Sequence, residues 1–329
     1  MAGPYYVDPA ASGANDGTSW TDAWETLQRA VDGTDGTQPV AGDTVYCRGT
    51  ETLSATCDLD GNNGSGAAGF IKYIGCNAGG TVDGTRYKMD ADSTASICIS
   101  HSANWHWFEN FEIYGATGYG VDYNGVHHSV WINCISRNNG SNGWELYYYT
   151  DDIFVRCQAY SNGGHGFANT YTIARFLACL AKDNTEHGFQ PESVCVAVGC
   201  VSHNNGGGGF DLNNCENTML INCIADENDD QGIGAAGDMT LIAGCRITDN
   251  GKDTSGYGIQ ITTDSRAVCG WNFLVDNDSG ATDGNLDAIP LDADADTNET
   301  SGTEGYVDGA DDFNLEAGAT LRSVAIELD

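Results

Sequence analysis

Positive charge is scarce in this chain of 329 residues. Lys and Arg total 13 against 47 Asp and Glu, a formal net charge of −34. A surface so poor in cations cannot neutralise a phosphate backbone, which excludes nucleic acid as a partner. It is also repelled by anionic membranes, and by polyanionic substrates unless calcium bridges them. No apolar run reaches the 18 residues of a membrane span. Met1-Ala2-Gly3-Pro4 leads into Tyr5-Tyr6-Val7 with no basic or apolar leader, so a classical signal peptide is not expected. There is no CxxC pair, no Cys/His spacing suited to zinc, no GxSxG or Walker A motif, and no GxGxxG in strand–helix context. Gly206–Gly209 is a glycine run with no helix after it.

What is present is a repeat. Cys134, Cys157, Cys179, Cys200, Cys223 and Cys245 recur at spacings of 23, 22, 21, 23 and 22 residues. Five residues after each stands an asparagine: Asn139, Asn162, Asn184, Asn205, Asn228 and Asn250. A glycine and an apolar residue follow, as in Gly143-Trp144, Gly166-Phe167, Gly188-Phe189, Gly209-Phe210, Gly232-Ile233 and Gly258-Ile259. A fixed period in this range means a solenoid. Residues before each cysteine alternate with it (Val130, Ile132, Cys134; Val196, Val198, Cys200), the period of a strand rather than a helix. At ~3.3 Å per residue one period is too long for a single strand and fits a coil of three short strands and three turns, stacked ~4.8 Å apart. The cysteines then form an interior column of small apolar groups, mostly as free thiols, because parallel Cβ vectors do not favour the disulfide torsion. Trp144, Phe167, Phe189 and Phe210 form an aromatic stack. The asparagines mark a turn in which Asn accepts the αL conformation.

Thr18–Val31 fits an amphipathic helix with Trp20, Trp24, Leu27 and Val31 on one face, suited to covering the open end of a solenoid. Phe111 lies 23 residues before Cys134, in the cysteine column. That register would turn Glu109 inward, so a bend is expected there. We expect three regions: 1–49, an N-terminal strand and capping helix; 50–280, the β-solenoid, with regular coils from about 105; and 281–329, an irregular acidic C-terminal cap or docking segment. In the last, Asp292, Asp294 and Asp296 resemble the start of a calcium loop, but Thr297 and Thr303 stand where an EF-hand needs Gly and Glu. No resident cofactor is expected beyond calcium at these three aspartates.

The opening YYVDPAASGANDGTSWTDAWETLQRAV, the following AGDTVYCRGT and the Gly-aromatic rungs from Gly120 to Gly258 resemble right-handed parallel β-helix proteins of the pectate-lyase-like superfamily. That resemblance covers nearly the whole chain. It implies an all-β, right-handed parallel β-helix, and says little of activity, because lyases, hydrolases, epimerases and phage spikes share the fold. The YYVDP start also resembles bacteriophage structural proteins. This implies a rigid virion component (spike, fibre or capsid decoration), virion or extracellular placement, glycan contact, virion-protein partners and a homotrimer.

By that resemblance, a ligand would lie along the strands that follow each repeat glycine. The residue after Gly points inward and the next outward, giving Asp122, Glu145, Ala168, Gln190, Asp211, Gly234 and Gln260. Asp122, Glu145 and Asp211 are the candidate catalytic carboxylates. Two carboxyls one rung apart split their pKa values, as acid/base chemistry requires, and their spacing suits a glycosidase pair. Tyr123, Tyr147, Tyr149, His165 and Gln190 are the candidate ligand-binding residues, rings and polar tips suited to sugars. Lyase chemistry is disfavoured for want of a cationic base; only Arg137 and Arg156 are expected near these aromatics, and Arg175 is expected inward-facing or at a strand start. The leading expectation is a structural or adhesion protein contacting a surface polysaccharide. The alternative is a carbohydrate-active enzyme, with a hydrolase ahead of a lyase.

Overall fold

The computed structural model describes residues 4–33, 37–125, 128–147, 151–170, 173–213, 215–235, 238–252, 256–261, 266–275, 277, 282–284 and 298–301. The chain forms a solenoid of three parallel sheets with 11, 11 and 10 strands, each strand inside a sheet paired with its equivalents one coil before and after. One coil shows the plan. Val130–Ile132 lies in sheet 1, Ile135–Arg137 in sheet 2 and Trp144–Tyr147 in sheet 3, and Asp151–Val155 re-enters sheet 1. Register holds for many coils: Val130 faces Ile153, Ser136 faces Ala159 and Trp144 faces Phe167.

Two αL residues per coil make the corners. Asn133, Arg156, Ala178, Gly199, Asn222 and Gly244, each just before a ladder cysteine, have φ between 52° and 65°. Such a residue breaks the alternation of the strand. Cys134 therefore points inward, while Val130 and Ile132 point outward and Trp131 fills the interior. Asn110 (φ 57°) does the same one coil earlier. Phe111 falls in the cysteine column, as its spacing predicts, and Glu109 stays at the surface opposite Ile132. The bend expected there is this αL residue.

The second corner corrects the expected role of the asparagines. The αL residues are those before them: Asn138, Ser161, Asp183, Asn204, Glu227 and Asp249. The asparagine side chains turn inward and form a ladder. Nδ2 of Asn139 donates to Oδ1 of Asn162 (3.0 Å), and the pattern repeats through Asn184, Asn205, Asn228, Asn250 and Asn277 at 2.9–3.0 Å. Each Oδ1 also accepts the backbone N–H of the preceding asparagine, so buried amides are satisfied in an otherwise apolar core.

All thirteen cysteines are buried free thiols. Each ladder thiol reaches back to a carbonyl of the preceding coil, as Cys157 Sγ does to Trp131 O (3.3 Å) and Cys200 Sγ to Phe176 O (3.3 Å). Trp144, Phe167, Phe189 and Phe210 stack at 4.8–4.9 Å with rings within 7° of parallel. Each buried ring contributes roughly 1.5–3 kcal/mol. The repeat glycine permits this close stacking: a Cβ on Gly143 would lie 2.7 Å from Gly166 O.

The helix is shorter than its sequence pattern predicts, covering Leu27–Asp32. Upstream, side chains compete for the backbone: Asp16 accepts from Thr18, Asp22 from Ala14, and Ser19 from the Asp22 N–H. Thr26 caps the helix, and Leu27, Ala30 and Val31 are buried against Cys57–Leu59, the end strand of sheet 3. Trp20 lies outside this face, over Tyr6 and under the Arg48 guanidinium. At the other end, Thr282–Gly284 and Asn298–Ser301 extend sheets 3 and 2 beyond residue 280.

Candidate functional site on sheet 3

Sheet 3 places the expected outward column in register. Asp122 faces Glu145, Glu145 faces Ala168, Ala168 faces Gln190 and Asp211 faces Gly234. Each follows a buried residue (Val121, Trp144, Phe167, Phe189, Phe210), so the stacked interior aims the column outward. Asp122 is half-buried, and Glu145 is recessed at 4% exposed.

Burial pushes the Glu145 carboxyl above the usual range. Asn142 and Tyr147 hydrogen-bond it and pull the other way, while the charges of Asp122 and Glu192 push it further up. Burial raises Asp122 as well. The Glu145 charge, followed by burial, pushes the Tyr147 hydroxyl up to about 12. Tyr119 completes this group; burial and the charges of Glu145 and Asp122 raise its pKa. Two carboxyls one rung apart, ~4.8 Å by strand spacing, thus sit beside two tyrosines, with protons held more firmly than in water.

A second polar column stands beside it, in the residues just before the repeat glycines: Tyr119, Asn142, His165, His187, Gly208, Gln231 and Tyr257. His165 and His187 stack at 5.2 Å with rings 4° apart. The Nδ1 of His165 accepts the His187 N–H (3.1 Å), and the Nδ1 of His187 accepts the Gly208 N–H (2.6 Å). That leaves the proton on Nε2 of each ring, facing Glu186 Oε2 at 2.9 Å and Asp211 Oδ2 at 3.5 Å respectively. Burial, followed by the charge of His187, lowers the His165 pKa to about 4. In this tautomer the imidazoles are donors to carboxylates rather than bases. Asn142 links the two columns, donating to Glu145 and accepting the His165 N–H (2.7 Å).

Several expectations are corrected. Tyr123 points into the core, fully buried, and its hydroxyl accepts from Trp131 Nε1, so it cannot meet a surface ligand. Asp211 lies three rungs from Glu145, ~14 Å by strand spacing, and pairs with His187 instead of joining the carboxylate pair. Arg137 lies on sheet 2, bound to Glu112 at 2.8 Å and stacked over Tyr114, and Arg156 occupies the corner between sheets 1 and 2. Neither is on sheet 3. Arg175 is mid-strand on sheet 1, partly exposed and paired with Asp151. Gln190 stands in the column where expected and His165 beside it, both half-buried. Tyr149 and the aspartates Asp292, Asp294 and Asp296 lie outside the described residues. Among the described residues, His203, Asp226 and Glu227 bring three ligand atoms close enough for one cation, but Glu227 is already paired with Lys252 at 2.6 Å. The reading of the residues missed Asn142, although its place before the repeat glycine is shared with His165, His187 and Gln231.

The sequence matches the family described as the right handed beta helix region over residues 72–197. No curated protein matches the chain. Among solved structures it is similar to a rhamnogalacturonan lyase (16% identity, TM-score 0.60, covering 95% of this chain and 91% of that one). It is also similar to the pectate lyase Pel9A (16% identity, TM-score 0.57, 98% and 94%). A third likeness is to ORF18 of Geobacillus virus E2 (15% identity, TM-score 0.51), which covers 77% of this chain and 51% of that one. Together with the three parallel sheets, these likenesses make the chain a right-handed parallel β-helix protein, related in fold to pectate lyases and to a phage protein.

Proposed function

We propose that this chain engages a polysaccharide along sheet 3 and hydrolyses it with the Asp122–Glu145 pair. The observation that carries the reading is the placing of these two shielded carboxyls on adjacent rungs beside Tyr119 and Tyr147. Glu145 is the acid. It is recessed, so its proton passes to the glycosidic oxygen through the hydroxyl of Tyr147, to which it is bonded. Asp122, the more exposed partner, attacks the anomeric carbon as the carboxylate while the protonated sugar departs, the route that a spacing of ~5 Å fits, and a water that gives its proton back through Tyr147 to Glu145 then releases the bound sugar and frees Asp122. His165 and Asn142 hold the supporting column, and Gln190 offers an amide two rungs along from Glu145. With −34 charges on the chain, a neutral polysaccharide fits this face better than a uronate.

The test is release of reducing ends from a panel of neutral and acidic polysaccharides. Wild type is expected to act on a neutral member, with Glu145→Gln and Asp122→Asn each lowering kcat by at least about a hundredfold. Activity should persist in EDTA, since a carboxylate pair needs no metal, and no unsaturated product absorbing in the near ultraviolet should form. Unchanged turnover in both variants would refute the assignment.

A second reading is a rigid virion component that contacts glycan without turnover, and the likeness to the Geobacillus virus protein favours it. Binding to the same panel without release of reducing ends would select it. Calcium at Asp292, Asp294 and Asp296 belongs with this reading, as a stabiliser of the C-terminal region rather than a reactant.

A further inference from the structure

The αL corner turns both apolar parities of the sheet 1 strands to use: one fills the core and the other faces out. Between Val130 and Ala243 the outward positions form two in-register columns. One runs Val130, Ile153, Arg175, Val196, Met219, Leu241 and the other Ile132, Val155, Leu177, Val198, Ile221, Ala243. Arg175 is the single charged position in either, and Asp151 of the neighbouring strand neutralises it. Of the large apolar side chains most exposed among the described residues, Ile173 (41%), Leu177 (38%) and Met219 (36%) lie on this face and Trp271 at its corner. A chain with 47 acidic residues has no shortage of polar side chains, so a nearly continuous apolar face needs a reason.

We propose that the outward face of sheet 1 is the docking surface for a second copy of this chain. Three features favour that occupant. The first is area. Six rungs at ~4.8 Å and a strand width of ~10 Å give on the order of 300 Å². The outward Leu180, Val201 and Ile224 of sheet 2 add three rungs round the corner and bring it to ~450 Å² per copy, the size of a small, transient self-association. The second is charge. Arg137, Arg156, Arg175, Lys182 and Arg246 all sit on the strands and corners of these two sheets, although the whole chain has only 13 Lys and Arg. Glu112, Asp151 and Asp183 pair with three of them, so among the described residues this side is closer to neutral than the chain as a whole, and two strongly acidic chains can approach here. The third is shape: strands held in register give a regular surface that a copy of itself can match. The surface is distinct from sheet 3 and leaves the site of Asp122 and Glu145 open in both copies, so the inference stands whether or not the proposed hydrolysis does.

Sedimentation equilibrium of the full chain over the micromolar range tests this. Wild type should approach twice the 34.7 kDa chain mass. Its association should strengthen as salt rises and screens the net charge. Leu177→Lys and Met219→Lys, at exposed positions where the fold tolerates them, should each weaken association at least about tenfold with an unchanged circular dichroism spectrum. Both changes reduce the net negative charge, so a loss of association cannot come from added repulsion. A wild-type chain that remains at monomer mass at every concentration and salt overturns the proposal; that is the result expected if residues 302–329 of the same chain cover the face. A dimer that both variants leave intact also overturns it.

Discussion

Glu145 is held in a state that suits chemistry better than stability. Burial raises its carboxyl pKa, and the Asp122 charge adds to this in spite of bonds from Asn142 and Tyr147. A carboxyl whose folded pKa lies above its unfolded one stabilises the fold below the unfolded value, and that contribution is lost as pH rises through the folded one. Glu145→Gln, which keeps the amide and hydroxyl contacts, should raise Tm at pH 8, with the difference disappearing at pH 4. Thermal melts across that range check it, and a lower Tm for the variant at pH 8 would show that the carboxylate is stabilised instead. Corner residues make a second local case. Ala178 (φ 52°) and Gly199 (φ 62°) occupy the same corner one coil apart, and nothing lies within 4 Å of a Cβ built on Gly199. Gly199→Ala should therefore cost about 1 kcal/mol from the backbone alone, and Ala178→Gly should be neutral or slightly stabilising. Urea titrations resolve both.

At the scale of the element, the asparagine ladder ties coil to coil where no sheet runs. Asn184 Oδ1 accepts from the N–H and Nδ2 of Asn162, and its own Nδ2 donates to Asn205 Oδ1 and Ala159 O. Asn184→Ala leaves donors and acceptors unpaired inside the core and should cost about 2–4 kcal/mol, seen as a lower Tm with the sheet signal intact in the folded state. Much of this element was legible in the spacing. The Cys-to-Asn interval recurs unchanged, and the residue after each glycine is inward because it is always large and apolar. What alternation could not show was the αL corner. Asn133, Arg156, Ala178 and Gly199 share a backbone conformation and no chemical feature, so nothing in their side chains announced that Val130 and Ile132 would face out. The same limit applies to Tyr123. It follows Asp122 and so returns to the interior, where its hydroxyl finds Trp131, but a tyrosine beside acidic residues reads equally well as a surface ring. The Asp122–Glu145 pairing was readable because both stand at the same distance from a repeat glycine, whereas Asn142 gained its role only once two columns were seen side by side.

For the whole molecule, each coil touches chiefly the coils before and after it, so stability is a sum of neighbouring interfaces rather than of one central core. The chain's charge is compatible with that architecture, because a long surface spreads 47 carboxylates further apart than a sphere of the same volume would. Composition alone pointed away from nucleic acid and membranes. It could not say which of the three faces carries the cations, since that depends on how the coil is folded. The regular register has a further consequence. Because the coils from Cys134 to Cys245 each begin at an equivalent cysteine and end at an equivalent corner, this part of the molecule can be edited in whole units. Removing residues 157–178 would join Arg156 to Cys179, delete the rung of Ala168 and set Gln190 directly against Glu145, with Asp211 one step nearer. Distances along the sheet 3 face are therefore integers of a single step, and a lineage bearing this fold can change what its surface grips by losing or duplicating a coil, without redesigning any part of the rest.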